Sequence, residues 1–221
     1  IIAGGSGLYV RALTDDLDFP GTDPAVRSRL SERAEREGTA ALHAELARLD
    51  PVAAERVEAS NTRRIVRALE VIEITGRPFS ASLPRYEDIA PTVHIALRCE
   101  RRLLDKRINE RARAMFDGGL VEEVEALIDQ GIREGETAPR AIGYAQALAV
   151  IDGTMSVPEA VDSTALATRQ LASRQIKWFR RDPRLHWIDV ALTETGQCTD
   201  SERSRLTRQA WELVCTRRGV A

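Results

Sequence analysis

Thr92-Val93-His94-Ile95-Ala96-Leu97 has a near-continuous apolar centre, the pattern of a strand buried in a parallel sheet. The next stretch is helical: Leu104, Ile108, Ala112 and Met115 fall on one face at helical spacing. Gly118-Gly119 breaks that helix, and a second runs from about Leu120 to Ile128. After a loop, Ala141-Ile142-Gly143-Tyr144 leads into a short helix ending near Gly153. Ser156-Val157-Pro158 starts a long helix reaching about Arg181, and Leu185 to Val190 reads as a final strand. Strands alternating with helices predict an α/β fold with a parallel-sheet core.

Toward the N-terminus, residues 22–83 are helical in pattern with no strand among them. Asp23-Pro24 and Asp50-Pro51 are N-cap and first-turn proline pairs, Gly38 is a stop, and Thr39 is a candidate cap. Asn61 or Thr62 begins a stronger helix with Ile65, Leu69 and Ile72 on one face, closed by Gly76 and Pro78. Ile1-Ile2-Ala3 reads as the end of a buried strand, and Gly4-Gly5-Ser6-Gly7 as a tight turn into a helix near Leu8. A domain rarely begins with the last residues of a strand, so further chain is expected upstream. The domain reading is therefore an α/β core from 1–20 and 88–192, an all-helical insertion at 21–87, and a polar tail at 193–221 carrying a helix.

The composition bounds the function. With 221 residues, 43% hydrophobic and 30% charged, the chain can bury one sizeable core and an appendage. No apolar run is long enough for a membrane span and no signal peptide is evident, which makes a cytoplasmic protein the simplest reading. Cys99, Cys198 and Cys215 are scattered, so neither a disulfide framework nor a zinc site is indicated. His43, His94 and His186 have no ligand spacing and no metal ligands are assigned. The net charge of −2 argues against general affinity for nucleic acid, yet Lys106 and Lys177 are the only lysines among 32 basic residues, so 30 are arginine. Genomic base composition explains an arginine excess, and so does recognition of phosphates and bases; location decides.

Four clusters hold the chemistry. The Gly4–Gly7 turn lets backbone amides approach an anion, although GxxxxGK[ST] does not occur in these residues. Arg63 and Arg67 share a helix face with Arg64 beside them; the face is either solvated and paired with Glu70 and Glu73, or phosphate-contacting. Arg107 and Arg111 form an i, i+4 pair that is either solvated or aimed at a phosphate. In Arg169–Arg181, Gln170, Arg174, Lys177 and Arg181 lie opposite Ala165, Ala172, Ile176 and Phe179. No acidic residue falls between Thr164 and Arg181, which makes this a better nucleic-acid candidate than an ordinary solvated face, with Trp178 read as core.

These segments, in this order, resemble the tRNA dimethylallyltransferases (tRNA isopentenyltransferases). The matching pieces are GGSGLYVRAL at 4–13, DPAVR at 23–27, NTRRIVRALEVIEITGRPFS at 61–80, RINERARAM followed by GLVEEV at 107–124, RAIGYAQ at 140–146 and TRQLASRQIKWFRR at 168–181. The resemblance implies a P-loop NTPase-like core with a helical insertion that grips the tRNA anticodon stem-loop. It also implies transfer of a dimethylallyl group from dimethylallyl diphosphate to N6 of the adenosine 3′ of the anticodon, with Mg2+ assisting departure of pyrophosphate. The target base is flipped out of its stack.

Carried over by position, the resemblance gives Ser6 a catalytic place close to the target nucleotide, where relatives have threonine. Arg111, also given a catalytic role, and Arg107 in the same cluster meet the diphosphate. Arg27, Arg63, Arg64, Arg67, Arg140, Gly143, Tyr144, Arg174, Gln175, Lys177 and Arg180 meet tRNA. A monomer is expected. The family's phosphate loop and its aspartate-bearing general-base segment do not match anything from Ile1 onward, so residues 1–221 alone are expected not to turn over. Ala145 stands where relatives often carry a basic residue, which puts one tRNA contact in doubt. The rivals are a P-loop small-molecule kinase, which has no need of a long basic helix, and a non-catalytic RNA-binding fragment.

Overall fold

The computed structural model describes residues 1–17, 19–82 and 86–218; residue 83, the last of the expected helical stretch, and residues 219–221 of the tail lie outside them. The chain divides into two units, Leu8–Pro91 and Ile1–Gly7 with the chain from Thr92 onward.

α1 (Gly7–Thr14) follows the glycine turn. Residues 8–20, expected in the α/β core, belong instead with the helices. The Ile89 amide donates to the Thr14 carbonyl at 2.9 Å, and Asp15 bridges Asp88 in antiparallel fashion. Arg11 pairs with Asp15 at 2.8 Å and lies over the Tyr86 ring at 4.2 Å. These contacts close the two ends of the helical unit on each other, a long-range tie with no local sequence signal.

The start and stop chemistry acts as its residue types dictate. The Asp23 carboxylate accepts the Ala25 and Val26 amides at the start of α2 (Pro24–Glu37), and Gly38 ends it at φ +85°. Gly38 also precedes α3 (Thr39–Leu49); Thr39 is therefore the first helical residue rather than the cap, its hydroxyl bonded to that of Thr62 at 2.7 Å. Asp50 accepts the Ala53 amide to open α4 (Pro51–Arg56). Asn61 accepts the Arg64 amide to open α5 (Thr62–Thr75), which Gly76 closes in the left-handed region at φ +66°. The inward stripes of these helices bury Leu30, Leu42, Leu46, Ile65 and Ala68 in one core. Fully burying a leucine or isoleucine contributes roughly 1.5–3 kcal/mol, so this unit carries its own hydrophobic drive.

Two carboxylates are buried with that core. Burial would push Asp50 and Glu70 up, but hydrogen bonds outweigh it: the Ser80 and Ala53 amides on Asp50, and Arg67, Arg27 and the Asp23 amide on Glu70. Both are held below the usual carboxylate range. A carboxyl depressed in the folded state contributes stability that is complete above its unfolded pKa, about 4, and is lost as pH falls through the folded value. The helical unit is thus expected to lose stability below about pH 4. Denaturant midpoints followed from about pH 7 to about pH 2 test this for wild type and Glu70→Gln; an identical acid limb in both would remove Glu70 from the account.

In the other unit, β1 (His94–Arg98) pairs in parallel with β2 (Leu185–Asp189), from His94↔Leu185 to Arg98↔Asp189. Between them run α6 (Arg101–Asp117), α7 (Leu120–Ala126), α8 (Tyr144–Ile151) and α9 (Val157–Phe179); α10 (Asp200–Arg218) follows β2. The apolar run at 92–97 predicts a buried strand, but Leu97 is 58% exposed. Among the described strand residues His94 and Ile188 are the ones that are buried. α6 and α9 meet through Ile108, Ala112 and Ala165. Phe116, Leu120, Val124, Ala147, Leu148 and Ala160 knit α6 to α9 into a second core.

The tail is fastened to this unit. The Ala191 amide and the Arg205 guanidinium each reach Glu202 at 2.7 Å; Arg205, then Ala191, hold that carboxyl down to about 2. Arg205 also donates to the Asp189 carbonyl at 2.6 Å. Among the described residues no helix is long and apolar enough to cross a membrane.

Candidate functional site

In the α/β unit the glycine turn lies against the C-terminal turns of α9. Gln175 donates to the Gly5 carbonyl at 3.1 Å. A Cβ on Gly5 would fall 2.2 Å from Gln175 Nε2, and one on Gly7 would fall 2.0 Å from Trp178 Nε1. At Gly7 the neighbour is the rigid indole ring, so a side chain there must displace it, whereas at Gly5 it is the flexible end of Gln175, which can swing aside. Ser6, between them, is exposed. Ser6 and Gln175, singled out by separate motifs, are thereby neighbours. Trp178, expected in the core, is instead 42% exposed, its indole lying on the turn. Gly7→Ala is expected to push the indole outward and to cost roughly 1–3 kcal/mol, as overpacked sites do. The check is a shift in tryptophan emission that Trp178→Phe abolishes; unchanged emission would mean the turn moves instead.

The basic face of α9 is as the spacing predicts. Gln170, Arg174, Lys177 and Arg181 are exposed, while Ala165 is buried and Ala172, Ile176 and Phe179 are half-buried. Among the described residues the side chains of Arg174, Lys177 and Arg180 have no ion-pair partner. One turn earlier the helix is committed to α6: Arg169 bonds Asn109, and Arg101 donates to Ser173 at 2.6 Å.

The cations of α6 divide in the same way. Arg102 pairs with Glu194 at 3.1 Å, Lys106 donates to the Glu194 carbonyl at 2.7 Å, and Arg107 donates to the Gly196 carbonyl at 3.1 Å. The turn at 193–197 thus lies along α6 and engages Arg107. Arg111 is exposed and has no ion pair among the described residues. Sequence reasoning gives this turn no role, since nothing in its composition announces which helix it meets.

Gly143 is buried at φ +98°, and a Cβ there would meet Met115 at 3.3 Å. Its amide donates to Gln146 Oε1 at 2.8 Å. Tyr144 starts α8 and its hydroxyl donates to Glu123, a bond that raises the phenol pKa. Arg140 is exposed two residues before Ile142.

The helical unit holds the remaining candidates. Arg63 and Arg64 are exposed, with no ion pair among the described residues. Arg27 and Arg67 both bond Glu70, whose side chain is fully buried. Arg67 also donates to the carbonyls of Gly21 and Pro20, at 3.0 and 2.6 Å. Helical spacing makes Glu70 a partner on a solvated face, and its burial is the part that spacing misses. A signal for it exists: the residue sits in Ala68-Leu69-Glu70-Val71, apolar on both sides. Among the described residues no three His, Cys, Asp or Glu gather to hold a metal ion, so Mg2+ is assigned no ligands on this chain and no step below depends on it.

An α/β unit with a two-stranded parallel sheet, an exposed basic helix and a separate helical unit is a mixed, helix-rich architecture of a known kind. The structure is similar to that of a tRNA isopentenylpyrophosphate transferase from Bacillus halodurans, with a TM-score of 0.57, 31% identity, and coverage of 97% of this chain and 66% of that one. In fold it is also similar to a eukaryotic dimethylallyltransferase acting on tRNA, with a TM-score of 0.68, 19% identity, and coverage of 94% and 55%. The chain is 51% identical over 214 residues to a tRNA dimethylallyltransferase of Streptomyces coelicolor, covering 97% of this chain and 66% of the relative. It is 55% identical over 215 residues to one of Thermobifida fusca, covering 97% and 64%. The chain therefore spans just under two thirds of the length of the curated relatives it matches. The IPP transferase family model matches residues 1–182. The chain belongs to the IPP transferase family.

Proposed function

We propose that the complete protein transfers a dimethylallyl group from dimethylallyl diphosphate to N6 of the adenosine 3′-adjacent to the anticodon of tRNA. The α/β unit is then part of a P-loop NTPase-like core, and the helical unit is the insertion that grips the anticodon stem-loop. The observation that carries the reading is the contact of Gln175 with Gly5, which sets the glycine turn against the end of α9, where Arg174 and Lys177 have no ion-pair partner among the described residues. One element thus offers phosphate contacts beside an exposed hydroxyl, Ser6. Flipping the adenosine out of its stack exposes its exocyclic amine, and Ser6 is the side chain proposed to hold that base. Arg111 is proposed to stabilise the charge that builds on the diphosphate as the C–O bond breaks, where a fixed cation has most effect. Arg63, Arg64, Arg174, Lys177 and Arg180 hold tRNA phosphates and position the RNA without reading it. Arg140, Gly143 and Tyr144 face the nucleotides around the target.

The test is tRNA binding by the complete protein across a salt series. Each phosphate contact removed is expected to reduce the slope of log K against log salt by roughly 0.7–0.9. Arg63→Ala/Arg64→Ala and Arg174→Ala/Lys177→Ala should each lose about two such units, equally for cognate and non-cognate anticodon arms. Affinities and slopes unchanged from wild type would make neither face an RNA surface and favour a small-molecule kinase.

A further inference from the structure

The helical unit's core encloses the Glu70 carboxylate together with its bonds to two arginines of the tRNA motifs. Glu70 is on α5, and its side chain is 0% exposed. Oε1 accepts the Asp23 amide at 3.0 Å. Oε2 accepts Arg27 Nε at 3.2 Å and Nη2 at 2.7 Å, and Arg67 Nη1 at 2.8 Å. A buried carboxylate is retained only when it is paired and hydrogen-bonded, and this one has four donors from two arginines and a helix cap.

The two arginines differ in what they have left. Arg67 is 28% exposed and spends both terminal nitrogens on Glu70, Gly21 and Pro20. Arg27 is 47% exposed, and its bonds to Glu70 use Nε and Nη2, leaving Nη1 with no hydrogen bond among the described residues. A planar fork gripped along one edge presents the opposite edge in a fixed direction, which is what a bidentate phosphate contact needs.

We propose that Glu70 is a positioning residue for RNA: it holds Arg27 in the orientation that meets a tRNA phosphate, while Arg67 braces α5 to the segment before α2 and touches no RNA. The proposal rests on the reading that the helical unit binds tRNA, and it separates two arginines that the sequence motifs treat alike.

The experiment is a double-mutant cycle in the complete protein, with tRNA affinity and salt slope as readouts and thermal melting as the measure of structure. Arg27→Ala should reduce the slope by roughly 0.7–0.9, and Arg67→Ala should lower Tm while leaving the slope at its wild-type value. Glu70→Gln should weaken tRNA binding roughly three- to tenfold in the wild-type background, the size of coupling between contacting residues, and have no effect on tRNA binding in the Arg27→Ala background. A merely structural Glu70 would weaken binding equally in both backgrounds, and that result overturns the proposal. So does a slope reduced as much by Arg67→Ala as by Arg27→Ala. If Glu70→Gln does not fold, Arg27→Lys answers the same question. Lysine keeps the charge but not the two-point grip on Glu70, so the slope should hold and the affinity fall; wild-type affinity would overturn the proposal. Arg63→Ala/Arg64→Ala is the control for the underlying reading. A slope it leaves unchanged sinks RNA binding by this unit and the proposal with it, whereas a reduced slope without Glu70–Arg27 coupling sinks the proposal alone.

Discussion

Arg111→Ala is expected to lower kcat/KM for dimethylallyl diphosphate about a hundredfold, the scale on which removing one preorganised donor from a developing anion acts, while changing tRNA affinity by less than about twofold. The structure gives the reason to single it out. Arg102 and Lys106 are engaged by Glu194, and Arg107 by the Gly196 carbonyl, whereas Arg111 stands exposed without such a tie among the described residues. Arg107→Ala should accordingly act more on stability than on turnover, because it frees the 193–197 turn from α6. The measurement is steady-state prenyl transfer by the complete protein with the donor varied at saturating tRNA. If Arg111→Ala weakens tRNA binding and leaves the donor dependence intact, Arg111 is an RNA contact and the diphosphate assignment is withdrawn.

Ile65→Ala is expected to destabilise the helical unit by roughly 2–5 kcal/mol, the cost of a core cavity, which for a unit of this size lowers Tm by about 8–40 °C. Ile65 is 0% exposed and lies with Leu42 and Leu46 in a core that belongs to residues 8–91. The loss should therefore be confined there. Hydrogen exchange read by segment should show protection falling across α2, α3 and α5 and holding across α9. A uniform loss along the whole chain would mean that the two units unfold as one.

What is legible in the sequence depends on which interactions are local. Asp23, Asp50, Asn61, Gly38 and Gly76 mark helix ends because a cap is satisfied within four residues. The basic face of α9 is legible for the same reason, being a matter of helical period alone. The long-range ties are not. Glu70 takes a bond from Arg27, 43 residues away, and the Gly196 carbonyl takes one from Arg107, 89 residues away; in the sequence both arginines look like free surface cations. The size of Trp178 points inward, yet it lies outward because Gly7 leaves room for it on the turn. The resemblance to the family supplies what period and spacing cannot, namely the chemistry of the substrate.

The parallel pairing of the strands has a consequence for the order of assembly. Arg98 and Asp189, at one end of the sheet, are 91 residues apart, whereas the bonds from Asp23 and Arg27 to Glu70 that tie α2 to α5 span 47 and 43. Distant pairings must be closed before they return any free energy, which makes them slow, while helical bundles built on nearer contacts form in microseconds to milliseconds. A ribosome adds roughly 5–20 residues per second, so the stretch from Pro91 to β2 takes about 5–20 s to make. For all of that time the residues of the helical unit have been made, whereas β2, the strand that β1 pairs with among the described residues, has not. The arginine-bearing helices thus have time to form on the nascent chain before the β1–β2 pairing can, and that pairing closes after them.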